Sequence, residues 1–94
     1  MAYYIYMMSN KHRTTLYTGV TANLAWRVEQ HRAGIKPSFT ERYQLFDLVY
    51  VEVHDELHAA RDREYRVKRW HRVRKNKLVE SINPDWRDLS NEWL

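Results

Sequence analysis

Tyr4-Ile5-Tyr6, followed by Tyr17-Thr18-Gly19, is the stretch on which the fold turns. Both triplets lie in short runs rich in Tyr, Ile and Val bounded by polar residues, so residues 3–8 and 15–20 read as two strands. The polar, basic segment from Ser9 to Thr14 connects them as an exposed hairpin loop. Strand side chains alternate faces, so a register that sets Tyr6 opposite Tyr17, Tyr4 opposite Gly19 and Met8 opposite Thr15 puts both tyrosine hydroxyls on one side of the sheet. Taken alone, the two tyrosines make an ordinary cross-strand aromatic pair.

Working outward, a helix pattern runs from Asn23 to Ala33, with Asn23 or Thr21 as N-cap and Gly34 as the left-handed residue that closes it. Residues 35–43, with Pro37 and Ser38, read as loop. Phe46 to Val53 is a third strand, with Leu48, Tyr50 and Glu52 on one face and Val49, Val51 and Val53 on the other. A long helical segment starts at the cap Asp55 and runs to about Ser81, broken near Arg72 to Arg74. Pro84, which restrains Asn83, stops it. Trp86 and Leu89 are expected to fold back on the core and Trp93 to lie at an exposed end, while Trp26 and Trp70 suit core positions. The order β-β-α-β-α-α predicts an α+β fold, a small three-stranded antiparallel sheet flanked by helices, with residues 1–94 as a single domain.

Composition narrows the function. The 94 residues contain no cysteine, which excludes a disulfide framework and thiolate metal sites. No run of about twenty apolar residues and no secretion signal is seen, so the expectation is a cytoplasmic protein with no membrane role. The net charge of +4 is concentrated: nine of the 16 Lys and Arg residues fall between Arg61 and Lys77. That basic helix, interleaved with Tyr65, Trp70 and His71, suits a nucleic-acid partner. Arg63, Arg66, Lys68, Arg69, Arg72 and Lys75 are the candidate phosphate contacts.

Two further features carry chemistry. Leu24, Arg27, Val28 and His31 share one face of the first helix, so an arginine and a histidine sit where a structural helix would place aliphatics. The alternative is that both lie at the stripe's edge with their polar ends in solvent. Glu64 is a carboxylate among bases, four residues before Lys68, an orientation that suits an i,i+4 ion pair. A single carboxylate also suits Mg²⁺, which is commonly held by one or two carboxylates, waters and substrate phosphate.

In this order and spacing, Tyr4-Ile5-Tyr6, Tyr17-Thr18-Gly19, Arg27, His31 and Glu64 resemble the GIY-YIG endonuclease family, over nearly the whole chain. The small bacterial stand-alone members are most similar, through Phe39-Thr40-x-Arg42-Tyr43, Arg63-Glu64, Lys68-x-Trp70, Arg72, Lys75, Leu78-Val79 and Asn83-Pro84-x-Trp86-x-Asp88-Leu89. Tyr4 and Thr18 depart from the Gly and Ile of the family name, without removing a reactive side chain.

The resemblance implies a site on one sheet face, with catalytic Tyr6, Tyr17, Arg27, His31 and Glu64 and with Glu64 also the metal ligand. It further implies a family asparagine after the acid, for which Asn76 is the candidate by distance. The chemistry expected is phosphodiester hydrolysis in DNA with Mg²⁺ or Mn²⁺, the DNA branched, flapped or single-stranded and RNA an alternative, in repair or recombination. Tyr17 is the expected base, since nearby positive charge favours a phenolate, with Tyr6 positioning water or phosphate and His31 an alternative base. Arg27 would hold the scissile phosphate, and one metal on Glu64 would neutralise its oxygens. A binding module without turnover, or an interaction protein on the same scaffold, are the competing readings.

Overall fold

The hairpin forms as expected but closes one residue further along each strand. In the computed structural model, which describes residues 1–34 and 45–94, β1 (Tyr3–Ser9) pairs antiparallel with β2 (Leu16–Thr21). Asn10 closes the loop: its N–H donates to the Thr15 carbonyl at 3.3 Å and its Oδ1 accepts the Thr15 N–H at 2.9 Å. Ser9 therefore meets Leu16, and the register puts Tyr6 opposite Gly19, Tyr4 opposite Thr21 and Met8 opposite Tyr17. The expected Tyr6–Tyr17 pairing is thus off by two residues. Because side chains alternate with period two, an even slip keeps both tyrosines on the same face, now as diagonal neighbours.

β3 (Asp47–His54) pairs with the other side of β1, giving the strand order β2-β1-β3. The ladder shifts between Met7 and Met8, which face Tyr50 and Leu48, so Val49 is the extra residue of a bulge. That shift corrects the expected alternation in β3. Leu48 and Val51 pack with Tyr6, Met8, Leu24, Val28, Leu45 and Leu89 on one face, while Val49 and Tyr50 join Met7, Val67, Val79 and Trp86 on the other.

α1 (Leu24–Ala33) covers the first face through Leu24, Val28 and His31. It starts where Asn23 Oδ1 accepts the Trp26 N–H at 3.1 Å and ends at Gly34, whose φ of 65° is the left-handed conformation glycine adopts without strain. Trp26 is exposed rather than core, because it lies outside the stripe that Leu24, Val28 and His31 define.

α2 (Leu57–Lys68) and α3 (Arg72–Ile82) cover the second face through Ala60, Val67 and Val79. The N-cap of α2 is Glu56, not Asp55: β3 runs on to His54, and the longer Glu56 carboxylate reaches back to the N–H groups of His58 and Ala59. The helix break falls at residues 69–71, just before the expected position, and α3 ends before Pro84.

Beyond α3 the chain folds back, as expected for Trp86 and Leu89, both buried. Asn83 is the hinge of that return: its Nδ2 donates to the carbonyls of Val49 and Arg87, and its Oδ1 accepts the Arg87 N–H. Leu89 N–H donates to the Leu48 carbonyl at 2.7 Å, and Asp88 Oδ1 accepts the Leu48 N–H at 3.0 Å, so the tail covers part of the outer edge of β3. A short helix, α4 (Ser90–Trp93), ends the described chain, with Trp93 against Tyr4 in an edge-on contact at 6.3 Å. The expected loop of residues 35–43, including Phe39, Thr40, Arg42 and Tyr43, lies outside the described residues. No helix among the described residues is long and apolar enough to cross a membrane.

Candidate active site

Tyr6, in the central strand, is fully buried, and its hydroxyl is 2.8 Å from Nε2 of His31, which is buried as well. The alternative of a solvent-facing His31 is therefore corrected: the turn spacing of α1 carries it inward with Leu24 and Val28. Tyr17, half-buried on the edge strand, stands with its ring centroid 4.6 Å from His31 and 6.1 Å from Tyr6. Three ring side chains from two strands and a helix thus meet on one sheet face.

Gly19 makes this packing possible. A Cβ built there would lie 2.6 Å from the Tyr6 hydroxyl and 2.7 Å from its ring carbon, so the Tyr6 ring occupies the space any side chain would need. The glycine of Tyr17-Thr18-Gly19 is explained by this close approach across the ladder.

Burial pushes the Tyr6 phenol well above its ordinary range, and neighbouring Tyr17 adds to the shift while Arg27 opposes it. Tyr6 therefore keeps its proton at neutral pH. Arg27 itself is half-buried, with one guanidinium nitrogen donating to Gln30 Oε1 at 3.0 Å.

Glu64 reaches this group through Lys68. Its Oε2 pairs with the Lys68 ammonium at 2.7 Å, and that ammonium stands 5.9 Å from the Tyr17 ring centroid. Only 16% of the Glu64 side chain is exposed, so the ion pair is better shielded than a typical i,i+4 bridge.

Among the described residues, no cluster of three or more His, Asp or Glu could cage a metal ion. The donor chemistry still fits a hard cation of the Mg²⁺ type, which one carboxylate can hold together with waters and substrate phosphate.

The other basic candidates are dispersed. Arg63 grips Glu52 with two nitrogens, at 2.9 and 3.2 Å, and lies over Trp70. Arg66 pairs with Asp62 in solvent, and Arg69 stacks over Tyr65 at 4.3 Å. Arg72 donates to Asn76 Oδ1 and to the carbonyls of Arg13 and Thr14, tying α3 to the hairpin loop and engaging the Asn76 side chain. Lys75 faces Tyr17 and Lys68 across a small cleft.

One polar group escaped the sequence reading. Glu52 also accepts from Tyr50 Oη and bonds His54 Nε2 at 2.7 Å. Burial works to raise the Glu52 carboxyl, but the bonds from Arg63, Tyr50 and His54 outweigh it and hold it below its ordinary range. The signal was the alternation Tyr50, Glu52, His54, which places three polar tips on one strand face.

The GIY-YIG catalytic domain family matches residues 2–78, and the chain belongs to that family. It is a nuclease family whose members act on nucleic acid and generally use divalent metal ions. Similar chains include a UPF0213 protein of Natronomonas pharaonis, 38% identical over 77 residues that cover 82% of this chain and 89% of the relative. A UPF0213 protein of Staphylococcus haemolyticus is 35% identical over 78 residues, 83% of this chain and 94% of that one. The solution NMR structure of a UPF0213 protein from Bacillus halodurans superposes with a TM-score of 0.61 at 26% identity, over 97% of this chain and 96% of its own.

Proposed function

We propose that this chain is a single-domain endonuclease that hydrolyses phosphodiester bonds in DNA with Mg²⁺ or Mn²⁺. The observation that carries the proposal is the buried Tyr6–His31 hydrogen bond with Tyr17 beside it, on the face that Arg27 overlooks. Tyr6, protonated, orients the attacking water or a phosphate oxygen, and Tyr17, nearer the surface, acts as a phenolate that takes the proton from water and becomes the neutral phenol. His31 is the alternative base. Arg27 holds the scissile phosphate and offsets the charge that develops on it. A divalent ion on Glu64 would supply Lewis acidity to the phosphate oxygens.

The substrate is branched, flapped or single-stranded DNA met in repair or recombination, and the setting is cytoplasmic. Of the basic candidates, Lys68, Arg69 and Lys75 are the ones left to meet its phosphates, while Arg63, Arg66 and Arg72 are already paired within the protein and would contribute at longer range. Binding without turnover is the second reading, favoured by the exposed Arg69–Tyr65 stack and by Arg74, 3.8 Å from the Trp70 ring centroid, which are features of a binding surface.

The test is cleavage of a panel of branched, flapped and single-stranded DNAs with Mg²⁺ or Mn²⁺. Tyr17→Phe should lower the rate by about 10² to 10⁴, and Glu64→Gln should abolish cleavage, with folding retained in both. Undiminished cleavage in both variants would sink the assignment.

A further inference from the structure

Beside Tyr17, at the outer edge of the sheet, lies a cleft of about 210 Å³ lined by Leu16, Tyr17, Thr18, Lys68 and Lys75. Among the described residues β2 is an edge strand, with β1 on its other side. Tyr17 packs with the Tyr6 cluster on one sheet face, while Leu16 packs with the cluster of the other, so the cleft spans the edge between them.

The two lysines of the cleft and the neighbouring Arg72 are not equivalent. Lys68 is paired with Glu64, and Arg72 is engaged by Asn76 and by two loop carbonyls. Lys75 is half-buried, and its ammonium has no ion pair or hydrogen bond among the described residues. Burial first, then Arg72 and Lys68, lower its pKa, which is the mark of an ammonium lacking a counter-charge. Thr18 adds a buried hydroxyl without a hydrogen-bond partner among the described residues. A solvated lysine would ordinarily extend its head into water, away from like charges. Here it stays beside two of them, in a space of the right size for a small anion.

We infer that this cleft is a subsite for a backbone phosphate flanking the scissile one, with Lys75 as its main contact and Lys68 joining it to Glu64. The strand would then cross the outer edge of β2, from the Tyr6–Tyr17–His31 face to the Lys75 cleft. Its task is register: a fixed second phosphate sets which linkage lies at Tyr17. The inference rests on the nuclease reading of Tyr17.

The experiment measures binding of the full chain, without divalent metal, to a flapped DNA in which one linkage at a time is a neutral methylphosphonate. One linkage near the junction should stand out, weakening binding by about tenfold or more, the scale of one charge-assisted contact. Lys75→Met, which keeps the aliphatic stem, should weaken the unmodified DNA by a similar factor and lower the salt slope by about 0.7 to 0.9. Combined, the two losses should not add. Additive losses, or no linkage that stands out, overturn the subsite while normal cleavage by the unaltered protein leaves the nuclease reading intact. Absence of salt-sensitive binding to any nucleic acid overturns both. The methylphosphonate scan needs no variant, so a folding defect in Lys75→Met leaves it decisive.

Discussion

Gly19→Ala is the sharpest probe of how the site is held. The added methyl would sit 2.6 Å from the Tyr6 hydroxyl, 2.7 Å from Cζ and 2.8 Å from Cε1, where ordinary contact begins at 3.4 Å. The ring must therefore retreat by about 0.8 Å, and it is wholly buried with little room to do so. Overpacking of this kind costs about 1 to 3 kcal/mol. Retreat also stretches the 2.8 Å bond to His31, a further loss of about 1 kcal/mol. For a domain of this size each kcal/mol lowers Tm by roughly 4 to 8 °C, so a drop of about 8 °C or more is expected by calorimetry. Activity should fall further than stability, since Tyr6 is displaced even in molecules that remain folded. A double-mutant cycle isolates the cause: with Tyr6→Ala in place, Gly19→Ala should cost no more than a few tenths of a kcal/mol. An unchanged Tm in the single variant, or an equal cost in both backgrounds, would refute the close-approach argument.

Other expectations concern the frame around the site. Asn83→Ala leaves the Val49 carbonyl and the Arg87 backbone without their partner and should destabilise by about 2 to 3 kcal/mol in a urea titration. Trp86→Ala empties a buried site and removes a donor to Glu80, at about 3 to 5 kcal/mol, whereas Trp70→Ala, only half-buried between Arg63 and Arg74, should cost clearly less. Glu52 has its folded pKa held below the ordinary value of 4.5, so its stabilising share is present above that pH and is lost as pH falls through the folded value beneath it. Asp88 behaves alike: burial opposes, but bonds from Leu48 and Ser90 prevail and lower it. Asp47, raised by burial and by Asp88, acts in the opposite sense and is relieved by acid. Glu52→Gln should therefore flatten the acid limb of a stability profile below about pH 4.5, and an unaltered limb would show that the Arg63 bridge contributes nothing.

Much of the fold was legible because it rests on periodicity and caps. The apolar stripe of α1, its Asn23 cap and Gly34 closure, and the stop before Pro84 all follow from local chemistry. What stayed hidden depends on contacts between distant residues. Nothing local announces that Asn10 ties the loop to Thr15, and that tie sets the register. In a run of valines the bulge at Val49 leaves no trace in the pattern, yet it turns over the faces of β3. The site residues were named from the order of motifs, while the depth of His31 and the bridging position of Lys68 are products of packing. Side-chain competition was equally out of view: Arg63 and Arg72 look like free cations in the sequence, and both are engaged by the protein itself.

The returning tail has a consequence for assembly. A sheet with strand order β2-β1-β3 has two borders, and an unsatisfied border is a template on which a second chain can add. Asp88 and Leu89 occupy the polar groups of Leu48, and Asn83 takes the Val49 carbonyl, so Asn83–Leu89 acts as a selvedge that stops the weave at β3. These residues lie beyond the 2–78 span of the family match, which means that a chain cut back to that span would lose Leu89 from the cluster of Tyr6 and leave Leu48 and Val49 of the sheet border open to a neighbour.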